Sequence, residues 1–487
     1  MHNTIETLEP QMMWTQFVAL NKVPRPSKKE EKVIEMVVAF GAQLGLETKV
    51  DAVGNVIIKK PASKGMENRT RVVLQSHLDM VHQKNADTVF DFEREGIQMY
   101  IDGDWVTAKG TTLGADNGIG VASIMAVLAS KNIEHPAIEA LFTIDEETGM
   151  TGALGLEAGW LEGEILLNLD TEEDTELTIG CAGGVDVTAE GHYKSEEAEG
   201  LKFYKVEVKG LTGGHSGMDI VLGRGNANKI MNRILYELNS AQTIRIAGID
   251  GGGLRNAIPR ESKAVVGWTD KEHAGILERL EIVKKEISKE YASTDPKLTI
   301  ECMPHGYEGE VMEAKFQTLL LQVLYAVKTG IQRMSPEIDG LVQTSNNLAR
   351  VLVEGGSYSI QCLSRSSVES EKHNLTNQLR ATFEILEGCS VRLSGDYPGW
   401  EPKPNAEIIG VMTQLYQTLF QDTPHVTACH AGLECGILGA NYPTMEMISF
   451  GPNIKGAHSP DEAVQISSVQ KYWLLLMETL KNIPIKK

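Results

Sequence analysis

At 487 residues the chain exceeds what one hydrophobic core usually serves, so two or more domains are expected. Its 66 acidic against 46 basic side chains leave a formal charge of -20, which argues against nucleic acid and anionic membrane as partners. The first residues lack the basic start and continuous apolar stretch of a secretory signal, and the apolar run from Val121 to Ala129 is about half the roughly 20 residues of a spanning helix. With six scattered cysteines and no CxxC pair, these features point to a soluble, cytoplasmic protein.

In chain order, Ser27 and Glu30 have the spacing of a capping box, and the run EEKVIEMVVAFGAQLG predicts a helix stopped by Gly45. Four short apolar runs follow, VIIKK, RVVLQSHLD, IEALFTIDEE and EILLNLD, with a helical segment from Gly118 to Ser130 among them. Buried strands alternating with helices predict an α/β layer on a mixed, largely parallel sheet. From about residue 187 the pattern changes. KFYKVEVKG, NANKIMNRILYELN, TIRIAG, ESKAVVGW, GILERLEIVKKEISKEYA and KLTIEC give the order βαββαβ of a ferredoxin-like layer. AKFQTLLLQVLYAVKTG, NNLARVLVEGG, YSIQCLSRS, TNQLRATFEILEG and SVRLSGDY then read αββαβ, which suggests a duplicated element. After Pro398 the chain returns to a helix from Ile408 to Phe420, a strand-like MEMISFG and a last helix around Val469 to Leu480. The expected domains are therefore 1–186 and 394–487 forming one α/β domain, with 187–393 inserted as an α+β lid.

The candidate metal ligands fall at the carboxyl ends of the apolar strands. His77 and Asp79 end RVVLQSHLD, Glu146 and Glu147 end IEALFTIDEE, Asp170 ends EILLNLD, and His458 follows MEMISFGPNIKGAH. In an open α/β sheet those ends share an edge, so residues distant in sequence converge there, and Asp116 in GTTLGADNGIG can join from an adjacent loop. Charged residues directly after buried strands have no packing reason to be there. Two imidazoles with several carboxylates suit Zn²⁺ better than Ca²⁺, and one aspartate can bridge two ions. The adjacent acids Glu146 and Glu147 end their strand, where successive side chains point in different directions, so one can hold metal while the other moves protons.

The segments VVLQSHLDMV, GTTLGADNGIG, TIDEETGMTGA, NLDTEE, GGHSG, RNAIPRE, HAGLEC and GPNIKGAHSPDE, in this order along nearly the whole chain, resemble the M20 family of zinc peptidases and, within it, its bacterial dipeptidases. The resemblance implies a zinc-peptidase catalytic domain bearing a duplicated ferredoxin-like lid. It implies two Zn²⁺, with Co²⁺ or Mn²⁺ as substitutes: His77, Asp116 and Asp170 on one, and Asp116, Glu147 and His458 on the other. It further implies that Asp79 orients the His77 ring, that the Asp116–Asn117 peptide is cis, and that Glu146 is the general base for a metal-bridging water. His215 would polarise the scissile carbonyl, and Asn256, Arg365, Gly432 and His458 would contact substrate; the role of His430 stays open. The activity implied is hydrolysis of dipeptides, Xaa-His among them, by a monomer or a homodimer. A tripeptide aminopeptidase or N-acyl amino acid deacylase on the same scaffold, and a non-catalytic small-peptide binding protein, are the alternatives.

Overall fold

The computed structural model describes residues 4–241 and 243–486. It divides into two compact units, the first comprising the chain up to Gly180 with Trp400–Ala428 and Leu433–Lys487, the second Cys181–Gly399 with Cys429–Gly432.

In the first unit, eight strands pair in the order Glu47–Val50, Val56–Lys60, Ile138–Thr143, Val72–His77, Ile165–Asn168, Glu446–Ser449, Glu176–Cys181 and His425–Cys429. The middle four pair parallel, in register Val72 to Ile138, Val72 to Ile165 and Ile165 to Glu446. Towards the flanks, the first two strands and the pairing of Val56–Lys60 with Ile138–Thr143 are antiparallel. Every residue of Val72–His77, Ile138–Thr143 and Ile165–Asn168 is buried, which is why these strands read as continuous apolar runs rather than alternating ones. The helix Ala115–Ala129 packs on Val72–His77 and in turn carries Gln11–Asn21. A Cβ on its Gly120 would come within 2.7 Å of the Leu169 carbonyl, so the close approach of helix and sheet depends on a glycine there.

Because the four central strands run the same way, their carboxyl ends lie along one edge. A four-stranded sheet completes the unit: Ile454–Lys455 and Ala463–Gln465 form a hairpin that pairs with Trp105–Ala108, itself paired with Met99–Asp102.

The second unit is built on a nine-stranded antiparallel sheet in the order Thr299–Pro304, Lys202–Lys209, Ser262–Trp268, Arg245–Gly252, Val342–Glu354, Ser357–Ser366, Gly183–His192 and Ser390–Tyr397, with Gly330–Met334 paired to Val342–Glu354. The first four strands have the ferredoxin-like order 4-1-3-2, and the next four have the same order reversed. The second half takes its first strand, Gly183–His192, from before the first half, so a local reading of the sequence finds αββαβ instead of βαββαβ. The halves join where Ile249 to Gly252 pair with Val353 to Arg350. Helices Ala227–Ala241, His273–Glu290, Ala314–Ala326 and Glu369–Phe383 contribute Ile234, Leu280, Leu320 and Leu379 to one apolar core. The unit starts at Cys181 and runs to Gly399 rather than from 187 to 393, since the strands Gly183–His192 and Ser390–Tyr397 belong wholly to its sheet.

Two local expectations are corrected. The helix Glu31–Gln43 has no side-chain cap: Ser27 Oγ donates to Asp79 Oδ2 at 2.8 Å, and Glu30 Oε1 accepts from the amides of Lys28 and Asp145. Both would-be capping groups are engaged elsewhere. Glu146 and Glu147 do not end a strand; the strand stops at Thr143, Asp145 turns the chain at φ 52, and the two glutamates open a four-residue helix, Glu146–Gly149. Their side chains diverge because consecutive helical residues are about 100° apart, not because a pleat alternates.

Candidate metal centre

Asp116 stands between two imidazoles. His77 Nε2 lies 3.1 Å from its Oδ1 and His458 Nε2 lies 3.3 Å from its Oδ2. His77 Nε2 also lies 3.5 Å from Asp170 Oδ1, and His458 Nε2 lies 2.9 Å from Glu147 Oε2. Among the described residues, the sets His77, Asp116, Asp170 and Asp116, Glu147, His458 each bring one ligand atom per residue within 4.8 Å of one another. The five residues implied by the motifs thus meet at the carboxyl edge of the sheet, sharing one aspartate.

Several backbone devices hold them there. His77 is the last residue of its strand, and its Nδ1 faces both the carbonyl of Asp79 at 3.2 Å and Asp79 Oδ1 at 3.3 Å. A ring proton on Nδ1 satisfies both and leaves Nε2 as the lone-pair face towards Asp116 and Asp170. Asp79 also accepts from the amides of Glu146 at 3.0 Å and Glu147 at 3.3 Å, so one buried carboxylate orients a candidate ligand and anchors the helix that carries the candidate base. The Asp116–Asn117 peptide is cis, and the Asn117 side chain donates to the Leu169 carbonyl and to Asp170. His458, at φ 65, sits in the loop of the hairpin between Ile454–Lys455 and Ala463–Gln465 and is the one half-exposed member of the group.

The electrostatics show what this concentration of acid demands. Burial opposes a charge on His77, yet Asp170, Asp116 and Asp79 hold its pKa well above the ordinary value. Hydrogen bonds to Asp116 and Glu147 raise His458 to about 11. Burial, reinforced by Asp116 and Glu147, pushes Asp170 up to about 6 despite His77. Burial also drives Glu146 well above the carboxylate range, again against His77 and with the help of Asp170, Glu434 and Glu147. Without a cation the cluster draws protons to itself. Glu147 Oε1 is buried without a hydrogen-bond partner, a state that desolvation makes costly and that a divalent cation relieves. Two imidazoles, three carboxylates and an unsatisfied buried oxygen fit zinc.

The other motif residues lie in the second unit. His215 Nδ1 accepts from the amides of Gly217 at 3.2 Å and Met218 at 3.0 Å, so the ring proton resides on Nε2. Arg365 is buried; Nη1 donates to the Tyr397 hydroxyl at 2.8 Å and Nε has no partner. His430 is buried, with Nε2 2.7 Å from Ser345 Oγ and Nδ1 unpartnered. A Cβ on Gly217 would meet the His430 carbonyl at 2.1 Å, His215 Cε1 at 3.1 Å and Arg365 Nε at 3.2 Å, which places these three around one glycine. Asn256 is exposed, and its carbonyl accepts from the Ser216 amide at 2.8 Å. Gly432 closes the short segment Cys429–Gly432 that returns to this unit, an excursion the sequence did not disclose.

Sequence reasoning missed several acids and one base around the metal cluster. Arg25, Glu434 and Glu462 are buried, and burial with repulsion from Asp116 and Asp170 raises Glu172 to about 8. None of them directly follows a buried apolar run, the signal that had marked most of the others.

Residues 73–482 match the peptidase family M20/M25/M40. The chain belongs to this family. It is 43% identical over 484 residues to the cytosol non-specific dipeptidase of Escherichia coli (strain K12), covering 99% of each chain. Its structure is similar to that of the aminoacylhistidine dipeptidase from Vibrio alginolyticus, with 42% identity, a TM-score of 0.95, and coverage of 100% of this chain and 99% of that one. A tripeptidase from Staphylococcus aureus, at 14% identity and a TM-score of 0.57 over 98% and 99% of the two chains, shares the fold. As a member of the M20 peptidases, the chain falls among enzymes that use divalent metal, and no described helix is long and apolar enough to cross a membrane.

Proposed function

We propose that the chain is a two-zinc dipeptidase of the cytosol that cleaves dipeptides, Xaa-His among them. The observation that carries this reading is the Asp116 carboxylate, with an imidazole on each oxygen and a further carboxylate beside each imidazole. His77, Asp116 and Asp170 would hold one ion and Asp116, Glu147 and His458 the other; Co²⁺ or Mn²⁺ could replace zinc at such donors. When bound, the ions polarise the scissile carbonyl and make water a nucleophile near neutral pH. Asp79 keeps His77 in the tautomer that turns its lone pair towards the site. Glu146, fixed through its amide, takes the proton of the attacking water and delivers it to the leaving amine. In the second unit, His215 offers its Nε2 proton to a carbonyl oxygen that gains negative charge. Arg365 keeps an unpartnered Nε for a terminal carboxylate, and Asn256 and Gly432 are assigned to the same substrate-binding set.

Two assays on the full-length protein test this. Metal analysis is expected to give two ions per chain, and turnover of Ala-His to exceed that of Ala-Ala-His and N-acetyl-His. Preference for N-acetyl-His would replace the dipeptidase with a deacylase, and preference for Ala-Ala-His would replace it with a tripeptidase.

A further inference from the structure

The hairpin loop that bears His458 ends at Glu462, a buried carboxylate belonging to none of the candidate metal sets. Its oxygens accept from four consecutive backbone amides. Oε2 takes Leu113 at 2.7 Å and Gly114 at 2.9 Å, and Oε1 takes Ala115 at 2.7 Å and Asp116 at 3.2 Å. Successive amides converge on one point only where backbone handedness switches, and Gly114 at φ 69 supplies the switch. The main chain of Glu462 is fixed as well: its carbonyl accepts from Thr107 Oγ1 at 2.8 Å, and its neighbour Ala463 pairs with Thr107.

Arg25 grips the other side of the same turn. Fully buried, it donates through Nη2 to the Gly114 carbonyl and through Nη1 to the carbonyls of Leu78 and Asp79, each at 3.0 Å. The turn 113–116 therefore has two clamps, one to the segment after His77 and one to the hairpin of His458. An acid that merely offset the dipole of the helix Ala115–Ala129 would need no such reach. This one comes from 346 residues away, four positions after a candidate ligand, and binds the amide of another.

We infer that Glu462 is a positioning residue: by tying the His458 hairpin to the turn that presents Asp116, it sets the separation of those two ligands, while Arg25 ties the same turn to the His77 strand. This inference rests on the metal reading proposed above. Its consequence is unequal: loss of the Glu462 clamp loosens the ion of Asp116, Glu147 and His458 more than the ion of His77, Asp116 and Asp170.

The test combines amide hydrogen exchange with zinc chloride titration of the full-length protein after chelation. In the metal-free native protein the amides of residues 113–116 are expected to be protected. In Glu462→Gln, whose side-chain NH₂ meets amides it cannot accept from, their exchange should rise at least about tenfold and one of two zinc sites should weaken about 10–100-fold. Exchange in Val342–Glu354 should stay unchanged, which reports an intact fold elsewhere. Glu462→Asp keeps the charge and should restore part of both losses; it also serves if Glu462→Gln does not fold. Open amides at 113–116 in the native protein, or a Glu462→Gln isotherm that superimposes on the native one, would overturn the inference. A native protein that binds no zinc would overturn the metal reading itself, a separate outcome.

Discussion

The candidate site histidines of the two units are driven in opposite directions. At the sheet edge of the first unit, His77 and His458 sit against carboxylates that raise their pKa values, His458 to about 11. Around Gly217 in the second unit, burial and the Arg365 charge lower His215, and burial with Arg365 and His215 lowers His430 to about 3. The same side chain is thus prepared for different partners. Imidazoles enclosed by acid suit a cation, whereas neutral imidazoles beside an arginine offer a proton and a positive field to something negative.

The sharpest way to exploit this contrast is to remove the proton carrier from the acidic site without touching its ligands. Glu146→Ala should keep its metal and lose about a thousandfold or more in kcat, measured together with zinc content on the same sample. Unchanged turnover would remove Glu146 from the role of base. A step down in effect, His458→Ala should reduce zinc from two ions per chain towards one, read by metal analysis after dialysis; two tightly held ions would exclude His458 as a ligand. In the second unit, Arg365→Met should raise KM for a dipeptide about 10–100-fold with a smaller change in kcat, because a hydrogen bond to a charged group is worth about 1.5–3 kcal/mol. Equal losses in kcat and kcat/KM would instead place Arg365 on the transition state.

A last expected effect is on stability, and it is one of pH. The His430 pKa lies below its unfolded value, so between about 6.5 and about 3 the unfolded chain binds a proton that the folded chain refuses. Stability from this residue is complete above that window and is lost as pH falls through it, by about 1.4 kcal/mol per pH unit. Urea unfolding of the native protein and His430→Gln at pH 4–6 should show a shallower slope in the variant; parallel slopes would mean that His430 is protonated in the fold.

How far the sequence spoke depended on what each element had to bury. The central strands are enclosed on both faces and left continuous apolar runs, so their ends, and with them His77, Asp170 and the approach to His458, could be found from spacing. Where a short turn does the positioning, that signal fails. Glu146 and Glu147 looked like the end of a strand because the helix that carries them is a single turn long. Ser27 and Glu30 have the letters of a capping box, but their side chains serve Asp79 and the Lys28 and Asp145 amides, a tertiary use that overrides the local one. The duplication in the second unit was visible only in part, because one half borrows a strand from upstream. Glu462 lay inside a quoted motif, yet nothing local distinguishes a surface glutamate from one that gathers four amides.

The account depends on a pair of divalent ions sharing Asp116. Anomalous diffraction from crystals grown with zinc, recorded at the zinc edge, would locate them. Two peaks are expected, one contacted by His77 and Asp170, the other by Glu147 and His458, with Asp116 reaching both. A single peak, or peaks remote from Asp116, would contradict it.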